Sequence, residues 1–279
     1  MKLGTLVRIT DITKADEEFK KVKELGLPSC QLVYKPKEYK SEDALIIKEA
    51  SEKHGIEISA MFAGYNDNDT VWDIYYGYKT AGINVEAYRK SRIDYIKAAS
   101  DFAKEIGITD IIIHAGFVPN NPFADEYGVL ICGLNTLTAY FRPKGQNLLL
   151  ETGGEAPITL LRLIEDVGAD NLFINFDPAN ILMYGYGHPV DALKVFGKYV
   201  RNMHGKDGFL PTDTRRTGRE APISEGAVDF KGVIEEFKKL SYDRYITIER
   251  EISGEAQIRD IIKAKEYFEK LLSEAGICY

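Results

Sequence analysis

Strand-length apolar runs and helix-length amphipathic runs alternate eight times along the 279 residues. The strand-like runs are 3–9, 30–34, 56–62, 110–115, 147–151, 171–177, 199–204 and 245–249. The helix-like runs are 14–26, 42–53, 85–106, 123–141, 158–167, 189–198, 230–240 and 255–275. In the first helical run Phe19, Val22 and Leu25 recur at helical spacing and Gly26 is a stop signal. Such alternation implies a parallel sheet with helical crossovers. Eight units fit one (β/α)8 TIM barrel, typically ~250 residues long, so residues 1–279 read as a single barrel domain. An open doubly wound sheet would carry a glycine-rich phosphate turn after its first strand. Thr10-Asp11-Ile12-Thr13 stands there instead.

Charge and cysteine usage narrow the class. A formal net charge of −7 repels phosphates on average, so neither nucleic acid nor an anionic membrane is an expected partner. No apolar run approaches the ~20 residues of a membrane span. Cys30, Cys132 and Cys278 are odd in number and far apart, which argues against a disulfide framework and for a cytoplasmic setting.

In a barrel, reactive groups sit where strands end and loops begin. Three strand-like runs end in a carboxylate, at Glu151, Asp177 and Glu249, and a fourth ends in His204. Singly, each acid is an ordinary cap or ion-pair partner. Crowded on one rim they need a cation, because an unpaired buried charge is costly. Three carboxylates and one imidazole suit a divalent metal: Mn²⁺ foremost, with Mg²⁺, Co²⁺ or Zn²⁺ as alternatives.

Glu151 in Leu-Leu-Leu-Glu-Thr-Gly-Gly, Asp177 in Asn-Phe-Asp-Pro-Ala-Asn, His204 in His-Gly-Lys-Asp and Glu249 in Thr-Ile-Glu-Arg-Glu resemble the sugar phosphate isomerase/epimerase family, whose fold is a xylose isomerase-like TIM barrel. The segment Ser224-Glu-Gly-Ala-Val-Asp-Phe230 is similar as well. The resemblance implies a metal held by Glu151, Asp177, His204 and Glu249. It also implies that Glu151 and Glu249 are the catalytic pair, one removing a proton α to a carbonyl and the other returning it through a metal-stabilised enediolate. A small-molecule carbohydrate is the implied substrate, and a homo-oligomer, dimer or tetramer, is expected. The same site in other members eliminates water or cleaves glycosides of oxidised sugars, so a lyase is the runner-up. An abasic-site endonuclease, against which the four histidines and the net acidity count, and a non-catalytic sugar-binding subunit are the remaining alternatives.

Further candidates for substrate contact leave two readings each. His114 ends the fourth strand-like run and either lines the site or is a hydrogen-bonded core residue. Glu155 reaches substrate or is a solvated loop acid. Asn180 stands where ketose 3-epimerases usually carry histidine. Lys206 faces the pocket or pairs with Asp207. Arg215, Arg216 and Arg219 gather positive charge in one loop, as an anion site or as a solvated loop. Trp72, in the aromatic loop 65–78, is part of a stacking wall or a subunit contact. Phe117, Phe123 and Tyr184 either extend that wall or are ordinary packing.

Overall fold

The computed structural model describes residues 1–34, 39–65 and 69–279. Part of the aromatic loop, residues 66–68, thus lies outside the described residues. In chain order the elements begin β1 (Lys2–Val7), α1 (Ala15–Glu24), β2 (Ser29–Val33), α2 (Asp43–His54), β3 (Glu57–Phe62), α3 (Gly77–Thr80), α4 (Glu86–Ile106), β4 (Asp110–His114) and α5 (Asp125–Phe141). They continue β5 (Asn147–Glu151), α6 (Pro157–Val167), β6 (Leu172–Phe176), α7 (Pro178–Met183), α8 (Pro189–Phe196) and β7 (Val200–Gly205). The short strands β8 (Asp207–Gly208) and β9 (Glu220–Ala221) precede α9 (Phe230–Lys239), β10 (Tyr245–Ile248) and α10 (Glu255–Glu274).

Eight parallel strands close in the order β1, β2, β3, β4, β5, β6, β7, β10 and back to β1. This is the eight-unit barrel expected from the alternation. The strands read as near-continuous apolar runs because both faces are covered. On β5, Leu148, Leu149 and Leu150 are all fully buried. Leu148 and Leu150 join the large core beneath the helices. Leu149 instead packs with Ala60 and Ile112, and with Phe62 and Phe173, in a separate layer inside the barrel.

Helices stop where glycine permits the left-handed conformation. Gly55 (φ 68°) and Gly107 (φ 95°) close α2 and α4, and each N–H returns to the last turn. Among the described residues, no helix is long and apolar enough to cross a membrane.

The departures from the expected elements are local. β1 ends at Val7 rather than Ile9, because Asp11 accepts from Thr13 N and opens a 3₁₀ turn there. α5 begins at Asp125 rather than Phe123. Phe123 is 91% exposed and is no part of an apolar wall. The short α3, α7 and the antiparallel β8–β9 pair lie in stretches that read as loop, being too brief to show a period.

Candidate metal centre

Period two decides which side chains enter the barrel. Leu149 fills its interior, so Glu151, two residues on, points inward above it. The same count brings Asp177 into phase with Phe173 and Asn175, His204 with Asn202, and Glu249 with Thr247. All four are buried, and each offers an atom within 4.8 Å of the others'.

His204 is the hub. Its Nδ1 lies 2.8 Å from Glu249 Oε2, 3.1 Å from Glu151 Oε1 and 3.7 Å from Asp177 Oδ2. Its Nε2 faces away, 2.9 Å from Gln31 Oε1 and 3.2 Å from Asn175 Nδ2. With the proton on Nε2, the ring donates to Gln31 and leaves Nδ1 free for a cation. Partners of this kind orient ligating histidines.

Asp177 caps α7 through Oδ1, which accepts from Asn180 N at 2.9 Å. That leaves Oδ2. Glu151 Oε2, Asp177 Oδ2 and Glu249 Oε2 are all buried without a hydrogen-bond partner. The close contact of Glu249 Oε2 with His204 Nδ1 is an ion-pair approach that lacks hydrogen-bond alignment. Buried carboxylate oxygens left bare are costly. Three carboxylates that each keep one bare oxygen and gather within 4.8 Å of one imidazole nitrogen fit a divalent cation, which the donor set would complete.

The electrostatics follow from the crowding. Burial disfavours the His204 imidazolium, but Glu249 and Glu151 outweigh it and hold the group well above the usual histidine range. Burial pushes Glu249 up; Lys206 and His204 overcome that and hold its carboxyl far below the usual range. Lys206 is 2% exposed. Burial opposes its charge, yet Glu249, Asp177 and Glu251 keep it an ammonium. Its Nζ donates to Glu251 Oε1 in a short contact and to Asn180 Oδ1 at 3.4 Å. It also lies 3.7 Å from both Asp177 Oδ2 and Glu249 Oε2.

Pairing of Lys206 with Asp207 is thereby overturned. Neighbours along extended chain point to opposite sides, so Lys206 faces the site and Asp207 faces the loop beyond. Asp207 accepts from the backbone N–H of Gly208, Ser224, Gly226 and Val228 at 2.8–3.1 Å and so anchors the 209–229 excursion.

A cavity of about 180 Å³ opens onto the cluster. Glu151, Glu249, Asn180 and Lys206 are among its polar lining; Asn180 Nδ2 donates to Glu151 Oε1 at 3.3 Å. Trp72, His114, Met183, Tyr184, Thr217 and Glu251 complete its lining. Trp72 stacks on Tyr65 at 5.8 Å and meets His114 at 4.6 Å. His114 Nε2 lies 3.6 Å from Glu151 Oε2. Phe117 packs between Tyr78 and Tyr184 and lines a small recess beside the cavity.

Two expectations change with these positions. Arg215 and Arg219 are exposed and do not line the cavity. Arg215 stacks over Tyr75 at 5.0 Å and Arg219 over Phe209 at 4.2 Å, and Arg216 is exposed in the same loop. Glu155 is no solvated acid. It is 4% exposed, and its Oε1 accepts from Gly153 N at 3.2 Å. Burial pushes its carboxyl up to about 8, helped by Glu151 and opposed by that hydrogen bond.

The sign for Glu155 is explicit. Its folded pKa exceeds the unfolded one, so between about pH 4.5 and 8 the folded state holds a proton that the unfolded state has lost. Stability falls across that window. Glu155→Gln is expected to raise the melting temperature at pH 8 and to leave it nearly unchanged at pH 4, which a thermal melt against pH measures.

Gln31, Asn175, Glu251 and Thr217 were not singled out from the sequence. Gln31 and Asn175 carried a usable signal, since a buried amide inside an otherwise apolar strand marks an inward position that needs a partner. Thr217 enters only through the fold of the long loop, where Gly218 N donates to Met183 O.

The model of the family described as xylose isomerase-like TIM barrel matches residues 19–271. An uncharacterised protein of Methanocaldococcus jannaschii is 27% identical over 208 residues, 67% of this chain and 64% of that relative. The matched part is thus under two thirds of the relative's length. Among solved structures, a xylose isomerase domain protein from Planctomyces limnophilus superimposes with a TM-score of 0.89 at 29% identity, covering 99% of this chain and 98% of that one. A D-tagatose 3-epimerase-like protein gives 0.75 at 21% identity over 99% and 98% of the two chains; at that identity the likeness bears on the fold alone. With the closed eight-stranded barrel and a family match across most of its length, the chain belongs to the xylose isomerase-like TIM barrel family.

Proposed function

We propose that the protein is a divalent-cation-dependent isomerase or epimerase of a small carbohydrate, working by proton abstraction α to a carbonyl. The observation that carries this reading is the convergence of three buried carboxylates on His204 Nδ1, each keeping one unpartnered oxygen, beside a cavity that Glu151 and Glu249 line. Glu151, Asp177, His204 and Glu249 would hold the cation, of which Mn²⁺ is our preferred identity. When bound, the cation supplies Lewis-acid polarisation of a carbonyl oxygen, which acidifies the neighbouring C–H.

The chain's own residues do the rest. Glu151 and Glu249 approach the cavity from β5 and from the end of β10, with β6 and β7 between them on the barrel wall. A substrate carbon between them meets one carboxylate on each face. The ionised one takes the proton as general base and the other, entering protonated, delivers one as general acid, both within hydrogen-bond reach. The Lys206 ammonium keeps Glu249 ionised and ready to accept. Asn180 and Lys206 offer hydrogen bonds to substrate oxygens, and Trp72 and Tyr184 shield the reacting carbon from water.

Support for carbohydrate chemistry comes from fold neighbours entitled L-ribulose 3-epimerase and D-psicose 3-epimerase. Another, from Mycobacterium smegmatis, is described in complex with magnesium. A probable 3-DHS dehydratase shares the fold too; the same abstraction followed by loss of a β-hydroxyl is the second reading. The test is incubation of cation-loaded protein in D₂O with ketoses and cyclitol ketones, followed by NMR. Deuterium at the α-carbon of an epimer or isomer is expected. Loss of water from the product would favour the second reading, and no exchange across the panel would refute both.

A further inference from the structure

Among the described residues, one amine cation, Lys206, lines the cavity, and it is already neutralised. We infer that Glu251, through its pair with Lys206, sets the charge selectivity of the site: the cavity admits uncharged polyhydroxy carbonyl compounds and rejects those bearing a phosphate or carboxylate. The inference deepens the proposed isomerase or epimerase reading and rests on it.

The charges around the cavity do not favour an anion. Three carboxylates in the cluster outnumber the charge of a divalent ion by one. Lys206 sits between Asp177 and Glu249 at 3.7 Å from each, and its Nζ donates to Glu251 in the shortest of its contacts. Glu251 therefore cancels the ammonium that, among the described residues lining the cavity, could have met an anionic substituent. Its side chain is 52% exposed while still lining the cavity, so it stands at the mouth. An incoming phosphate meets a carboxylate there before it meets the lysine.

Placement of Glu251 is built into the fold. Its backbone N–H donates to Glu220 Oε1 at 3.0 Å, and Glu220 in turn pairs with Arg250 at 2.8 Å. Glu220 belongs to β9, which pairs with β8 next to Lys206. Both partners of the Lys206–Glu251 pair are thus set by the same ribbon. Arg215 and Arg219 lie elsewhere, on Tyr75 and Phe209, and Arg8, whose charge reaches Glu249, is exposed and is not among the residues lining the cavity. Like charges juxtaposed in a desolvated site are strongly unfavourable, whereas a freed buried ammonium is a ready anion partner.

Glu251→Gln removes the charge and keeps an oxygen for Lys206. The experiment compares cation-loaded wild type, Glu251→Gln, and the double variant Glu251→Gln/Lys206→Met. Each is assayed with a neutral ketose and its terminal phosphate ester for kcat/KM, and is titrated calorimetrically with inorganic phosphate. Wild type is expected to favour the neutral ketose by roughly 100-fold or more. Glu251→Gln should narrow that ratio at least tenfold by gaining on the ester, and should bind inorganic phosphate about tenfold more tightly than wild type. The double variant should lose the gain in phosphate binding. Wild type that processes the ester as well as the neutral ketose would overturn the inference, as would an unchanged ratio in Glu251→Gln. If neither compound turns over, the isomerase reading fails, and the phosphate titration alone decides: equal affinity in wild type and Glu251→Gln overturns the charge gate.

Discussion

Glu249→Gln is expected to lower kcat by roughly 10³-fold or more, with the barrel intact by circular dichroism. The substitution preserves shape and removes the charge that accepts the proton. The Lys206 ammonium holds the native carboxylate ionised; an amide has no basicity for it to tune. A second loss comes from the cation site, since Glu249 Oε2 is one of the three bare oxygens. Steady-state kinetics at saturating cation separate the two. A loss that survives saturation belongs to proton transfer, and one that vanishes belongs to cation affinity. Glu151→Gln is expected to behave alike, because its Oε1 stands 3.1 Å from the same His204 nitrogen. Retained turnover in Glu249→Gln would remove that residue from the chemistry.

The second large effect concerns stability. Without a cation the cluster presses three buried carboxylates against one imidazole. Asp177→Asn relieves part of that repulsion, so the cation-free variant is expected to melt above cation-free wild type. Wild type should gain about 2.7 kcal/mol at a hundredfold excess of cation over its Kd, a rise in melting temperature of roughly 5 °C, and Asp177→Asn should lose that gain. The pH dependence has a definite sign. In the cation-free protein the folded-state pKa of His204 is raised, so its stabilisation is complete below about pH 6.5 and is lost as pH rises through the folded value. Glu249 is the reverse case. Its folded pKa is depressed, so its contribution is present above about pH 4.5 and lost as acid protonates it. A cation displaces the His204 proton, and its affinity should therefore tighten as pH rises.

Much of this was legible in the sequence because period and strand ends are local signals. Runs such as Leu148–Leu150 announce strands covered on both faces, and the acids that end them mark the rim. The alternation that puts Glu151 above Leu149 also puts Lys206 in phase with His204 and Asp207 out of phase. Applied one strand further, it would have excluded the Lys206–Asp207 pair and brought in Glu251 beside Glu249. Glu155 and the arginines were ambiguous for a different reason. Burial of a loop residue depends on how segments far apart in sequence fold over one another. Glu155 folds back onto Gly153 N and is buried there, while Tyr75 and Phe209 hold the arginines at the surface. Composition suggested an anion site in that loop; stacking on rings outside the cavity leaves those charges in solvent.

The most direct measurement is calorimetric titration of Mn²⁺, with Mg²⁺ and Co²⁺ for comparison, into chelator-treated wild type and Asp177→Asn in buffers of differing ionisation enthalpy. The expected result is one site per chain in wild type, release of a proton from His204 on binding near neutral pH, and at least a tenfold weaker site in Asp177→Asn. Absence of a saturable site in wild type, or a site of equal affinity in the variant, would contradict the metal centre on which the proposed chemistry depends.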